Sequence, residues 1–336
     1  GAVPKRAAAV VSPATTDEVS RVVKVCSSHG IPLTVVGGRS GVCGAAVPAF
    51  GGIVLSTHRM AALGAVDAVS GVVEVEPGMF GDKLESILGT QHGLTVGHHP
   101  QSINISTVGG WVACRGAGQY STRYGKIEDI VTGLEVVLAD GSVIHTGGAP
   151  RAADGPDMTS LFVGSEGQLG IVTRVWLRSH PVPTHTAKAA YSFADFASGI
   201  TALRDTIRAG ATPAVLRLYD ASESKRSHDM DNGRCTLIVF DEGTREIVES
   251  TLATTATSVF AHGGATESSE LVDRWFEHRN DTTALQALTQ KGFVVDTMEV
   301  AAPWSRLTNI YDAVCAALRA VPDCRAASCH LSHSYT

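Results

Sequence analysis

The sequence lacks the features that mark membrane-spanning, nucleic-acid-binding and disulfide-bonded proteins. No apolar run approaches the ~20 residues that a membrane-spanning helix needs. Lys and Arg are not clustered and the net charge is −6, which argues against a nucleic-acid partner. The seven cysteines are scattered without a CxxC pair. This usage is typical of reduced thiols, so we expect a cytoplasmic protein.

The common nucleotide-binding motifs are also missing. A capping box of Thr15 and Glu18 begins a helix that Gly30 ends, and a buried strand over 31–36 leads into Gly37. Helix, strand and loop therefore follow in the reverse of the dinucleotide-binding order of strand, loop and helix. The loop also lacks the Gly-Lys-Ser/Thr ending of a P-loop.

What the sequence does contain is three glycine-rich loops in its first half. We name them loop 1 (37–41, GGRSG), loop 2 (106–111, STVGGW) and loop 3 (164–170, GSEGQLG). Glycine lets main-chain N–H groups approach a ligand with no Cβ in the way. Three such loops indicate one large polyphosphate ligand, and their order and spacing favour a flavin over a nicotinamide.

The length of 336 residues exceeds the usual size of a single core, so we expect two domains. Pro181 and Pro183 interrupt the pattern of secondary structure just after the predicted strand at 171–177. We therefore predict a domain boundary there, with domains over 1–181 and 182–336. The fold class predicted is α+β. The first half is predicted to hold strands at 71–76 and 171–177, a helix at 81–88 and a hairpin at 136–146. Predicted helices of the second half lie near 195–209, 243–257, 268–278, 283–291 and 305–320, with strands near 215–219, 235–240, 293–299 and 326–335 and an exposed loop at 222–233.

Several segments carry a resemblance to a known family. They read TVVGGRSG from Thr34, STVGGWV from Ser106, YGKIED from Tyr124 and GSEGQLGI from Gly164. LRLYD from Leu216, APWS from Ala302 and SCHLSHSY from Ser328 follow in the second half. The series resembles the vanillyl-alcohol-oxidase or PCMH-type FAD-binding family, and within it alkyldihydroxyacetonephosphate synthase and its bacterial relatives. The resemblance implies a PCMH-type FAD-binding domain followed by an α+β cap domain that binds substrate.

The same resemblance implies where the cofactor binds. FAD would be held non-covalently, because loop 1 has no His or Cys where relatives attach the flavin, with Cys43 the nearest thiol. The cofactor-binding residues implied are Val35, Val36, Gly37, Gly38, Arg39, Ser40, Gly41, Gln101, Ser102, Ser106, Thr107, Gly109, Gly110, Cys114, Arg115, Gly116, Ala117, Glu166, Gly167, Leu169, Gly170, Ile171 and Val172.

Three catalytic residues are implied in the second half. Tyr335 would move a proton beside the flavin, Arg279 would grip a substrate phosphate, and Arg217 would hold the active-site wall. The reaction implied exchanges an acyl group for a long-chain alcohol on dihydroxyacetone phosphate through a flavin N5 adduct, as in ether lipid biosynthesis. The alternative is an FAD-dependent oxidase or dehydrogenase of a 2-hydroxy acid or similar small alcohol.

Each of these residues also has an ordinary structural interpretation. Arg279 would suit a solvated helix end, Tyr335 a plain strand, and Arg217 the strand face opposite Leu216 and Leu218. No metal site is expected, because the adjacent side chains of His98 and His99 diverge on an extended backbone. A third reading is a flavin-binding module without catalysis.

The expected partner is a small-molecule substrate with a phosphate and a long apolar chain, and no nucleic acid. Peripheral membrane contact and a homodimer stay open on the sequence. The chain lacks an initiating Met and stops within a predicted strand. We therefore expect cut ends and an incomplete cap domain.

Overall fold

Two units make up the chain, Gly1–Val182 and Pro183–Thr336. The computed structural model describes residues 5–148, 153, 155–281, 288 and 290–336. In the first unit the strands are β1 (Ala9–Val11), β2 (Leu33–Val36), β3 (Ile53–Ser56), β4 (Leu63–Asp67), β5 (Val72–Val75), β6 (Leu94–Thr95), β7 (Val131–Val137), β8 (Val143–Gly147), β9 (Ile171–Arg178) and β10 (His180–Pro181). Its helices are α1 (Thr16–Ser28), α2 (Gly81–Ile87) with a π-helical turn (Leu88–His92), α3 (Val108–Ala113), α4 (Ser121–Tyr124), α5 (Ile127–Ile130) and α6 (Thr159–Phe162).

Two main sheets build the first unit. A parallel sheet has the order β1-β3-β2, and an antiparallel sheet has the order β4-β5-β9-β7-β8. Helix α1 begins at Thr15, whose side chain accepts from the Glu18 N–H, and it buries Val19 and Val23. Those two side chains pack with Leu55 of β3 and Ile171 of β9. The amphipathic face of α1 therefore joins the parallel sheet to the antiparallel one.

The second unit is built on one five-stranded antiparallel sheet in the order β14-β11-β13-β12-β15. Its strands are β11 (His185–Phe193), β12 (Val215–Tyr219), β13 (Cys235–Gly243), β14 (Ala265–Glu267) and β15 (His330–Leu331). Its helices are α7 (Phe196–Arg208), α8 (Ala221–His228), α9 (Arg245–Ala261), α10 (Glu270–His278) and α11 (Trp304–Arg319).

The two faces of the second-unit sheet are covered by different helices. One face buries Leu216, Leu218 and Leu237 against α7, α9 and α11. Because side chains alternate along a strand, Tyr219 and Phe240 lie on the other face. There Tyr219 contacts His228 of α8, and Phe240 contacts Phe276 of α10. We call this second surface the polar face.

Most predicted elements are present, and three predictions were wrong. The segment 222–233 is not a loop throughout, because Asp220 caps α8 and the helix buries Glu223, Ser224 and His228. No strand forms over 293–299, and the strand predicted at 326–335 shrinks to His330–Leu331. The helix predicted over 283–291 falls mainly outside the described residues.

Candidate flavin site and substrate face

Loops 1 and 2 pack directly against each other in the first unit. A Cβ added to Gly37 would lie 2.2 Å from Thr107 Oγ1, and one added to Gly38 would lie 2.1 Å from the Ile105 carbonyl oxygen. Both distances are far below a van der Waals contact, so only glycine fits at these two positions. The close approach brings the main chain of the two loops side by side.

Loop 2 is fixed by its own side chains. Thr107 is the N-cap of α3 and accepts from the Gly110 N–H at 3.4 Å. The indole Nε1 of Trp111 donates to Ser106 Oγ at 2.8 Å, and Trp111 is 2% exposed. A Cβ on Gly109 would lie 2.5 Å from Pro77. The loop is therefore held rigidly, as a preorganised binding loop requires.

Loop 3 contacts the helix that begins in loop 2 and the strand that precedes loop 1. The Gly164 N–H donates to the Val112 carbonyl at 2.9 Å, and the Glu166 N–H donates to the Ala113 carbonyl at 3.0 Å. The Cβ position of Gly167 lies 3.6 Å from Val35 Cγ2, beside the strand that leads into loop 1. The three glycine-rich loops thus converge in one region of the first unit, which fits a cradle for an extended dinucleotide.

Strained backbone also gathers in this region. Among the described residues, five that are not glycine have a positive φ. Three of them belong to the predicted cofactor site: Arg39 (58°), Arg115 (54°) and Glu166 (50°). Left-handed backbone at such residues clusters at functional sites. Arg115 is further held by Glu128, whose Oε1 accepts from its Nε at 3.1 Å.

The remaining predicted cofactor residues differ in how they can contribute. Val36 and Ile171 have side chains buried in the core, and Gly170 lies against Val136. These three can offer only main-chain groups to a ligand. Gln101 and Leu169 are exposed. Partial burial raises the pKa of the Cys114 thiol, and the nearby Glu166 carboxylate and Cys43 raise it further.

In the second unit, two of the predicted catalytic arginines lie on one side of the sheet. Arg217 of β12 turns away from the core between Leu216 and Leu218, as the alternation predicts. Its guanidinium carbon is 5.5 Å from the centre of the Tyr219 ring. Arg279 follows α10 and lies over Trp275 and Phe276, at 5.4 Å and 5.0 Å. Since Phe276 contacts Phe240, Arg279 belongs to the helix that covers the polar face.

The third predicted catalytic residue, Tyr335, follows β15. Its carbonyl oxygen accepts from the indole Nε1 of Trp304 at 2.9 Å, and the residue is 39% exposed. The main chain is thus tied to the start of α11. The sequence interpretation missed His228 and Tyr219, which also lie on the polar face. Tyr219 belongs to the LRLYD segment, two residues after Arg217 on the same strand.

Comparison with known proteins places the chain in a family. A model of an FAD binding domain matches residues 7–147, and a model of the C-terminal domain of FAD-linked oxidases matches residues 182–336. The FAD-linked oxidoreductase YgcU of Escherichia coli K12 is 33% identical over 344 residues, which is 98% of this chain and 70% of that protein. The chain belongs to the FAD-linked oxidoreductase family. It is a flavoenzyme, and its cofactor is FAD.

Two relatives of this flavoenzyme have names that specify a reaction. Each of them matches this chain over only part of its length. The glycolate oxidase subunit GlcD of Bacillus subtilis is 38% identical over 216 residues, covering 63% of this chain and 45% of that protein. Alkyldihydroxyacetonephosphate synthase of Caenorhabditis elegans is 32% identical over 224 residues, covering 66% of this chain and 37% of that protein. Sequence identity alone therefore does not separate an oxidase from a synthase, because relatives with both names match at similar identity.

Solved structures confirm the fold and the resemblance that the motifs carried. An alkyldihydroxyacetonephosphate synthase matches 97% of this flavoenzyme and 68% of that chain, with a TM-score of 0.82 and 25% identity. The match to p-cresol methylhydroxylase covers 76% of this flavoenzyme and 57% of the hydroxylase chain, with a TM-score of 0.64 and 24% identity. This match shows a shared fold. No helix among the described residues combines the length and apolar character needed to cross a membrane.

Proposed function

We propose that this flavoenzyme is an alkyldihydroxyacetonephosphate-synthase-like transferase. It would exchange the acyl group of an acyl dihydroxyacetone phosphate for a long-chain alcohol. Residues 1–181 would be the FAD-binding domain, and residues 182–336 would be the cap that receives the substrate. The whole-chain likeness to a synthase structure supports this assignment. The observation that carries it is the pair Arg217 and Arg279 on one side of the second-unit sheet, which suits a phosphate-bearing substrate.

The cofactor would be held by main-chain groups of the three loops. With glycine at 37 and 38, the main-chain N–H groups of loop 1 would be open to a ligand without a Cβ in the way. Attachment would be non-covalent. The raised pKa of Cys114 keeps that thiol protonated near neutral pH, and a protonated thiol is a poor nucleophile. When bound, the flavin supplies an electrophilic ring that can also accept electrons.

The chain's own residues would bind the substrate and move its proton. Arg279 would bind the phosphate, and its stacking on Trp275 and Phe276 restricts the guanidinium to few orientations. Tyr335 would transfer a proton. A phenol has an ordinary pKa of about 10, so this role needs a positive charge near the hydroxyl in the substrate complex.

The test is an anaerobic absorption spectrum of the FAD-loaded protein before and after adding an acyl dihydroxyacetone phosphate. A changed flavin spectrum, followed by alkyl product when a long-chain alcohol is added, supports the transferase. Arg279→Ala should weaken binding of this ligand at least tenfold with FAD content unchanged, and Tyr335→Phe should keep FAD and lose turnover. A spectrum indifferent to the ligand contradicts the proposal.

A second candidate is a redox enzyme acting on a 2-hydroxy acid. The likeness to the glycolate oxidase subunit favours it. In that case glycolate or lactate would bleach the flavin without oxygen, and acyl dihydroxyacetone phosphate would leave it unchanged. The same spectroscopic experiment with both ligands separates the two functions.

A further inference from the structure

The polar face of the second unit carries a cation with no acidic partner. Arg217 forms no ion pair among the described residues, and its Nε is buried there without a hydrogen-bond acceptor. A partly buried guanidinium in this state is unfavourable, because burial removes water and nothing anionic replaces it. Such a charge is typical of a site that receives an anion.

A histidine holds this guanidinium in place. The Arg217 Nη2 lies 2.7 Å from His330 Nε2. Guanidinium groups only donate, so His330 Nε2 accepts and the ring proton sits on Nδ1. Burial and, next, the Arg217 cation together lower the pKa of His330 to about 4. The other charged or titratable groups acting on His330 are Glu223, Arg226 and His333.

Strand pairing fixes the two residues relative to each other. His330 of β15 pairs directly with Tyr219 of β12, two residues after Arg217. Cross-strand partners point to the same face, so all three side chains share the polar face. Tyr219 is 3% exposed, and its ring centre lies 5.6 Å from that of His330. The tyrosine ring therefore forms a rigid floor under the arginine.

A second buried polar side chain, His228, contacts the same tyrosine ring. The His228 ring lies 4.6 Å from the Tyr219 ring, and the residue is 3% exposed. Neither of its ring nitrogens has a hydrogen-bond partner within the part of the chain that the structure describes. A buried polar atom left in this state destabilises the fold, because its hydrogen bonds to water are lost and not replaced. Two such groups around one ring indicate a binding site rather than a packed core.

We propose that Arg217 forms an oxyanion-binding subsite and that His330 is the residue that positions it. The ligand class is a carboxylate or phosphate oxyanion of the substrate. A guanidinium pairs with either through two parallel N–H groups, which requires a fixed orientation of its plane. His330 and the Tyr219 ring supply that orientation. The inference rests on the proposed function only in taking the second unit as the substrate-binding part.

The test is isothermal titration calorimetry of the FAD-loaded protein with inorganic phosphate and, separately, with glycolate. His330→Leu should weaken the preferred anion at least tenfold. His330→Gln should bind within about threefold of the wild type, because its amide oxygen can accept from the same guanidinium. Arg217→Gln should weaken binding at least as much as His330→Leu does. Arg245→Gln is the matched control, since Arg245 is an exposed arginine of the same unit paired with Glu249, and it should have no effect.

The preferred probe identifies the source of the oxyanion, phosphate for a phosphorylated substrate and glycolate for a hydroxy acid. The proposal is overturned if the wild type binds neither anion, or if Arg217→Gln binds as tightly as the wild type. It is also overturned if a folded His330→Leu binds normally. FAD absorbance and the thermal midpoint report whether each variant is folded. If His330→Leu does not fold, Arg217→Lys takes its place, and unchanged anion binding by Arg217→Lys overturns the proposal. Anion binding that depends on Arg217 without turnover of either substrate would contradict the proposed function alone.

Discussion

At the scale of single residues, the buried carboxylate of Asp220 connects several elements of the second unit. Asp220 is 1% exposed and accepts three hydrogen bonds: from the Glu223 N–H at 2.7 Å, the Cys329 N–H at 2.9 Å and the Tyr311 hydroxyl at 3.1 Å. It is the N-cap of α8, and it also joins that helix to the chain before β15 and to α11. The residue after β12 therefore connects three parts of the unit.

We expect Asp220→Ala to reduce the free energy of unfolding by about 3 kcal/mol or more. The change removes a helix cap and leaves two further donors without their acceptor. Asp195→Ala is the matched control, because Asp195 caps α7 at an exposed position through Ser198. Loss of that cap alone should reduce stability by about 1 kcal/mol. Urea unfolding of both variants measures the difference, and equal losses would contradict this account.

His228 makes stability depend on pH. Burial and, next, the Arg274 cation together lower its pKa to about 4. The unfolded chain binds a proton at about pH 6.5, whereas the folded chain resists it. The stability that His228 contributes is therefore complete above about pH 6.5 and is lost as the pH falls toward 4.

The expected size of this effect is about 2 kcal/mol at pH 5, from about 1.5 pH units at 1.36 kcal/mol each. Urea unfolding gives the free energy of unfolding at pH 7 and at pH 5. From pH 7 to pH 5 this free energy should fall by about 2 kcal/mol less in His228→Gln than in the wild type. Other groups titrate in both proteins. The measured quantity is therefore the difference between variant and wild type in the slope of unfolding free energy against pH. Identical slopes would show that His228 is not held neutral.

At the scale of elements, loops 1 and 2 form one structural unit through glycine. We expect Gly38→Ala to destabilise the apoprotein by more than 2 kcal/mol, because the added methyl would overlap the Ile105 carbonyl and force the backbone apart. Gly41→Ala is the control in the same loop, since a Cβ there meets nothing within 4 Å and φ is not positive. Its apoprotein should be as stable as the wild type. Thermal unfolding without FAD makes the comparison, and equal midpoints for the two variants would contradict it.

Local chemistry predicted the elements whose signals are short in sequence. The N-cap Thr15, the apolar spacing of α1 and the turn between β7 and β8 each act within a few residues, and the structure has these elements. Helix α8 was missed because its sequence is polar. Its N-terminus is capped by Asp220, and the Glu223 carboxylate accepts hydrogen bonds from Arg226 and Ser328. Ser328 is 105 residues from Glu223, so no local pattern indicates that contact.

The same limit applies to the candidate site. The three loops were visible as glycine-rich segments, but their convergence depends on contacts such as Gly37 with Thr107, which only the fold creates. Arg217 was found by resemblance and by strand alternation. Its contact with His330 was not predicted, because the register that pairs β12 with β15 joins residues far apart in the sequence.

At the scale of the whole molecule, the two units have separate cores, and only the first contains the glycine loops. A ligand stabilises the state that binds it, in proportion to the logarithm of its concentration over Kd. FAD added to the apoprotein should therefore slow amide hydrogen exchange first in loops 1, 2 and 3. Strands β12 and β13 have cores of their own and should exchange at nearly unchanged rates. We expect this pattern because local opening near a ligand is suppressed by binding, whereas opening elsewhere is not.

Mass spectrometry of exchanged peptides with and without FAD measures this protection. Gly38→Ala serves as the control, since a distorted cradle should reduce protection in all three loops together rather than in loop 1 alone. We expect that joint loss because loop 1 packs on loop 2, and loop 3 is hydrogen-bonded to the last two residues of α3, the helix that begins within loop 2. Protection confined to one loop would contradict a single cradle. Protection spread equally over β12 and β13 would mean that the second unit takes part in holding the cofactor, and the assignment of the FAD-binding role to residues 1–181 alone would then fail.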